Sequence, residues 1–152
     1  MSRKKEFDTI QMEFTSLCKG NVALENKVSI VHKELIVTEG IKTDSKANSL
    51  SNVHKVFHGT RALDSSYRTF LEIYHAVPAQ KSLGTYLTRL TKPGYGYTPL
   101  NDSLKTRLQT DVVDKRNKFL HSAGTYPNKK EAEEMVETIC SAIHTLLTLG
   151  GI

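Results

Sequence analysis

The chain has 152 residues, 38% of them hydrophobic and 24% charged, with 9 Gly and 4 Pro. That balance is expected of a single globular domain rather than a multidomain enzyme, a collagen-like chain or a disordered one. Lys and Arg total 21 against 16 Asp and Glu, a formal charge of +5 that favours a polyanionic partner without requiring one. No apolar run approaches bilayer length, and Met1-Ser2-Arg3-Lys4-Lys5-Glu6 lacks a signal peptide's hydrophobic stretch, so a cytoplasmic chain with no membrane contact is expected.

Apolar residues recur at three- and four-residue steps almost throughout, which predicts an all-α fold. A first helix runs from about Lys4 to Cys18 on Phe7, Ile10, Phe14 and Leu17 before Lys19-Gly20 stops it. Asn21 caps a second, with Leu24, Val28, Val31 and Leu35 on one face and an end near Gly40. Thr43 or Asp44 caps a third that carries Ala47, Leu50, Val53 and Phe57 and ends at Gly59. Thr60 restarts the pattern through Leu63, Tyr67, Phe70, Leu71 and Tyr74, and Pro78 forces an end.

Leu83, Leu87 and Leu90 mark a short helix. The next eight residues, Lys92 to Thr98-Pro99, hold two Pro, two Gly and two Tyr and read as a loop. Leu100 to His121 is helical again, on Leu104, Leu108, Val112, Phe119 and Leu120, with Gly124 beyond its end. Asn128 and Glu131 have capping-box spacing ahead of a long stripe from Ala132 to Leu147. The whole reads as one domain, a bundle of four main helices with one or two short extra ones. Cys18 and Cys140 fall on apolar stripes and read as core thiols.

Polar residues break the bundle pattern together in one place, Lys115-Arg116-Asn117-Lys118-Phe119-Leu120-His121. On a wheel of about 100° per residue Arg116 lands inside the apolar arc, between Val112 and Leu120. A guanidinium cannot shed its charge, so such an Arg needs an anion, a polar cleft or a second subunit. Asn117 and His121 are four residues apart and share the margin of the buried face, where Asn117 could hold the imidazole. A fixed cation and a titratable base near one helix end suit phosphodiester chemistry: imidazole moves protons near neutral pH, and Arg binds phosphate in a bidentate way without a metal.

Arg116-Asn117-x-x-x-His121, on the penultimate helix of a small bundle and followed by a turn and a long last helix, resembles the signature of HEPN domains (higher eukaryotes and prokaryotes nucleotide-binding). That signature is an Arg, commonly followed by a polar residue, with four to six residues between it and a His. The resemblance covers about Leu100 to Leu149; the first hundred residues match only as generic helices. Arg68 and His75 also satisfy the loose pattern, on a stripe that reads as core. The resemblance implies a metal-independent endoribonuclease that works as a homodimer with Arg and His in a shared cleft, often in toxin–antitoxin, abortive-infection or other defence systems against phage. Carried over, His121 would be the general acid or base at the ribose 2′-hydroxyl or leaving oxygen, Arg116 would stabilise the pentacovalent phosphate, and Asn117 would orient the site. RNA such as tRNA or mRNA would be the substrate, a 2′,3′-cyclic phosphate the product, and no metal or cofactor is expected. In the branch whose antitoxin is a minimal nucleotidyltransferase a Tyr follows the His by two residues; here that position is Ala123, and Tyr126 lies three further on.

Other features carry weaker expectations. Lys115 and Lys118 flank the motif as RNA-binding candidates, and Lys92 with Tyr95 and Tyr97 in the Gly-Tyr-Gly-Tyr loop could stack bases. Equally, the basic run could be a solvated helix end and the loop a plain connection. His54 and His58 sit four apart on one helix, a metal-compatible spacing with no evident third ligand. Neither a phosphate-binding Gly-rich loop nor a serine-hydrolase signature is present. The alternative to a nuclease is a catalytically inert helical module that binds nucleotide, RNA or a partner protein through the same face.

Overall fold

The computed structural model describes residues 2–152, and among them every regular element is helical. Four long helices, α1 (Arg3–Leu17), α2 (Val22–Gly40), α3 (Leu50–Ile73) and α7 (Lys129–Leu149), form the bundle. Three short ones, α4 (Leu83–Leu90), α5 (Asp102–Leu108) and α6 (Lys115–His121), lie between α3 and α7, with a π-helical stretch over Gln109–Asp114 joining α5 to α6. No described helix is long and apolar enough to cross a membrane.

Caps follow the sequence signals closely. Ser2, Asn21, Ser82 and Asn101 each accept a backbone N–H from the first turn of the helix they precede. Asn128 and Glu131 form a full capping box at α7. The core runs along one seam, with Phe7, Ile10 and Phe14 of α1, Val28, Val31 and Leu35 of α2, Leu63, Tyr67 and Phe70 of α3, and Ile139, Ile143 and Leu146 of α7. Cys18 and Cys140 are buried there, and burial pushes the Cys140 thiol up to about 11, where it stays protonated.

The largest departure from the expected elements is α3, one continuous helix where two were expected. It starts after Ser49 rather than at Thr43 or Asp44, and Gly59 lies inside it. A Cβ at Gly59 would sit 2.9 Å from Ile139 Cδ1 and 3.4 Å from Thr38 Cγ2, so the glycine lets α3 press against α7 and α2 instead of ending the helix. The buried face also differs: Leu50 is 62% and Phe57 43% exposed, while Asn52, Lys55, Val56 and Thr60 point inward. Asn52 Nδ2 donates to the carbonyls of Asp44 (2.9 Å) and Pro127 (3.3 Å), and its Oδ1 accepts from Asp44 N at 2.8 Å. Lys55 Nζ donates to the carbonyls of Glu39 and Ile41 at the end of α2. α3 stops at Ile73, short of Pro78, because His75 takes the left-handed conformation (φ 55°) and Ala76 N closes onto Leu71 O.

Ala at Gly59 gains about 1 kcal/mol of helix propensity while the terminal methyl of Ile139 swings aside, so Gly59→Ala is expected to change stability by under about 1 kcal/mol. Val at the same site also meets Thr38, and overpacking should cost about 1–3 kcal/mol. Denaturant titration of the two variants checks the contrast.

Candidate functional site

The helix expected over residues 100–121 is α5, the π stretch and α6 in one line, and the π stretch decides which way the motif faces. A π turn holds an extra residue, and such turns recur at functional sites. Here Val112 and Val113 are buried within it, and the residues one and two turns on, Arg116, Phe119 and Leu120, share that inward side. Gln109 Nε2 donates to Asp114 Oδ1 across the stretch at 3.0 Å.

Arg116 is half-buried and enters a cleft of about 260 Å³ between α6 and α3, walled by Phe57, Thr60, Arg61, Asp64, Ser65 and Leu120 besides itself. Its Nη1 donates to Asn117 Oδ1 at 2.8 Å. Its Nε is buried with no acceptor in reach, an unmet donor that buried polar groups seldom tolerate without a ligand or water to accept. Asn117 therefore steadies the guanidinium and does not hold the His121 ring, as the spacing had suggested.

His121 is exposed at the last position of α6, and Ser122 turns the chain away in extended conformation. It is not one of the cleft's walls. Five residues along an α-helix separate side chains by about 140°, so within one chain Arg116 turns into the cleft and His121 away from it.

The expected RNA contacts scatter. Lys115 and Lys118 wall a separate small cavity against α7, about 70 Å³, which they share with Asp111, Glu131 and Glu134. The Lys92 loop lies at the other end of α3. Tyr97 is only 5% exposed, packs on Phe70 and Tyr74, and donates its hydroxyl to Arg89 O at 3.0 Å. Tyr95 stacks on Tyr97 at 6.0 Å, and its hydroxyl accepts from Arg89 Nη1 at 2.6 Å. Tyr97 thus has no open face for a base, because it fills the gap between the ends of α3 and α7, while Tyr95 lies partly exposed over it. Tyr74 is ten residues beyond Asp64, about 15 Å along the helix from the Arg116 cleft. His58 Nδ1 is bonded to Glu34 Oε1 at 2.6 Å and His54 is exposed; among the described residues no group of three His, Cys, Asp or Glu could hold a metal.

Sequence reading passed over the α3 wall of the cleft. Phe57, Arg61 and Asp64 stand at i, i+4 and i+7, a helical face hidden once the helix was divided at Gly59. Arg61 lies with its guanidinium carbon 5.6 Å from the Phe57 ring centre and its Nε 3.7 Å from Glu34. Asp64 has a raised pKa: burial is the larger effect, opposed by the charges of Arg116 and Arg68.

A carboxyl that holds its proton more tightly folded than unfolded costs stability as pH rises from its unfolded value, about 4, through the folded one. Asp64→Asn is therefore expected to raise the Tm at pH 7 and to leave it nearly unchanged at pH 3, as thermal unfolding at the two pH values would show.

No protein-family model matches the chain, and no curated protein or solved structure is detectably similar to it.

Proposed function

We propose that the protein is a metal-independent endoribonuclease of HEPN type in which Arg116 and His121 carry the chemistry. One observation carries the reading: a half-buried arginine whose Nε has no acceptor, in an open cleft, five residues along α6 from an exposed imidazole. An anion entering the cleft supplies the missing acceptor, and phosphate matches the guanidinium fork. Asn117, bonded to Nη1, fixes the fork and leaves Nε and Nη2 for the substrate.

His121 and Arg116 diverge around α6, so the reading requires a homodimer that brings one chain's His121 to the other's cleft or joins the two clefts into one. His121 then takes the 2′-hydroxyl proton as the oxygen attacks phosphorus, or returns a proton to the departing 5′-oxygen, while Arg116 neutralises charge on the equatorial oxygens. The attack forms the 2′-O–P bond and breaks the P–O5′ bond, leaving a 2′,3′-cyclic phosphate. A role as toxin or phage-defence component, with a regulating partner, goes with the family reading.

The test is cleavage of total RNA and tRNA by purified protein in EDTA, for wild type and His121→Ala, with circular dichroism on both. Cleavage by the wild type alone supports the reading. Equal silence from two folded proteins, at concentrations where they are dimeric, favours the inert binding module.

A further inference from the structure

We propose that Phe57 is the stacking platform for a base of single-stranded RNA whose phosphate lies on Arg116 and Arg61. The inference rests on the ribonuclease reading for the identity of the ligand and deepens it by naming where a base sits.

Of the five phenylalanines, Phe7, Phe14, Phe70 and Phe119 are buried and Phe57 alone is open to solvent. Its ring does not stand apart on the surface but lines the cleft that Arg116 enters. Arg61 lies against the ring, so a cation and a π-face are presented together. A base needs such a face and a phosphate needs such cations, and a nucleotide carries both at fixed separation. The buried Nε of Arg116 asks specifically for an acceptor, which a purely apolar occupant would not give it.

Asp64, in the same cleft, accepts from hydroxyl or base N–H groups and repels phosphate, which confines the phosphate to the arginines. Arg68 of α3 and Lys27 of α2 wall the neighbouring groove, where both are paired with Glu72, so the unpaired positive charge of the two sites is confined to the Arg116 cleft. Tyr126, the other aromatic with a widely exposed ring, lies on the turn after α6 and lines no part of the cleft. The second copy that the ribonuclease reading requires seats its His121 at the edge of the cleft and leaves the Phe57 ring open, since a copy seated on the ring itself would close the opening through which substrate must enter.

The chain contains no tryptophan, so Phe57→Trp supplies a single reporter. The experiment uses Phe57→Trp in a His121→Ala background, which keeps RNA intact, with a single-stranded RNA hexamer as one probe and inorganic polyphosphate as the other. RNA is expected to quench the emission saturably, and polyphosphate to compete with RNA without quenching. Phe57→Ala, folded by circular dichroism because the ring it loses is exposed, should weaken RNA binding about tenfold or more and leave polyphosphate binding unchanged.

The proposal is overturned if RNA binds without changing the emission, or if the emission changes on diluting the protein alone, which would mean that a second copy covers the ring. It is equally overturned if Phe57→Ala weakens both probes alike. Quenching by RNA together with a catalytically silent wild type would remove the nuclease reading and keep the platform; an active nuclease with a silent reporter would do the reverse.

Discussion

Arg116→Ala is expected to cut the turnover of RNA about 10²–10³-fold, the effect of deleting one preorganised charge from a phosphoryl-transfer transition state. Its fold should survive: the guanidinium's only side-chain hydrogen bond is to an exposed neighbour, Asn117, and its Nε has no acceptor to lose. Arg116→Lys should recover only part of the rate, since an ammonium returns the charge without the planar fork. His121→Ala should lose about 10²–10⁴-fold, and the pH dependence of its residual activity should differ from that of the two Arg116 variants. Kinetics from pH 5 to 9 on the three variants separate a fixed cation from a proton carrier; wild-type rates in all three would leave the cleft without a catalytic role.

The second large effect falls on stability. Asn52→Leu keeps the side-chain volume but leaves Asp44 N, Asp44 O and Pro127 O without the partner that now joins them. At about 1–3 kcal/mol for each buried polar group left unpaired, and with two of the three able to find water at the surface, a loss of about 3 kcal/mol is expected. For a chain of this size that lowers the Tm by roughly 10 °C. Asn52→Ser, which keeps one donor and one acceptor on a shorter arm, should fall between. Denaturant titration would read the change as a lower midpoint at constant slope. Because Pro127 immediately precedes the Asn128 cap, the same bond fixes the chain where it enters α7.

The contrast between those two residues shows what could be read from sequence. α7 was legible because its signals are local: a capping box, then a stripe of aliphatic residues that meets the core over five turns. Arg116 was legible as an anomaly, a charge in an apolar arc, because the arc is built from neighbours on its own helix. α3 was not, since its inward face carries Asn52, Lys55, Gly59 and Thr60, residues that hydrophobic periodicity assigns to the surface. Three of them are there for a partner elsewhere in the chain, Gly59 for Ile139, Asn52 for Pro127 and Lys55 for the end of α2, while Thr60 bonds back to Val56 O in its own helix. The cleft was hidden for the same reason, five of its seven wall residues being contributed by residues 57–65. The loop at 92–99 was legible as a loop, but nothing in two glycines and two tyrosines says whether the rings face water or, as Tyr97 does, fill a gap between helix ends.

The central claim is that RNA is cut by attack of its own 2′-hydroxyl with Arg116 and His121 in attendance. The most direct measurement is end-group analysis of a short RNA cleaved in EDTA, beside the same RNA carrying a single 2′-deoxy substitution at the cut site. The account predicts a 2′,3′-cyclic phosphate and a 5′-hydroxyl from the wild type, no cut at the deoxy position, and neither product from His121→Ala. Cleavage that proceeds at the deoxy position, or that leaves a 3′-hydroxyl and a 5′-phosphate, would contradict it.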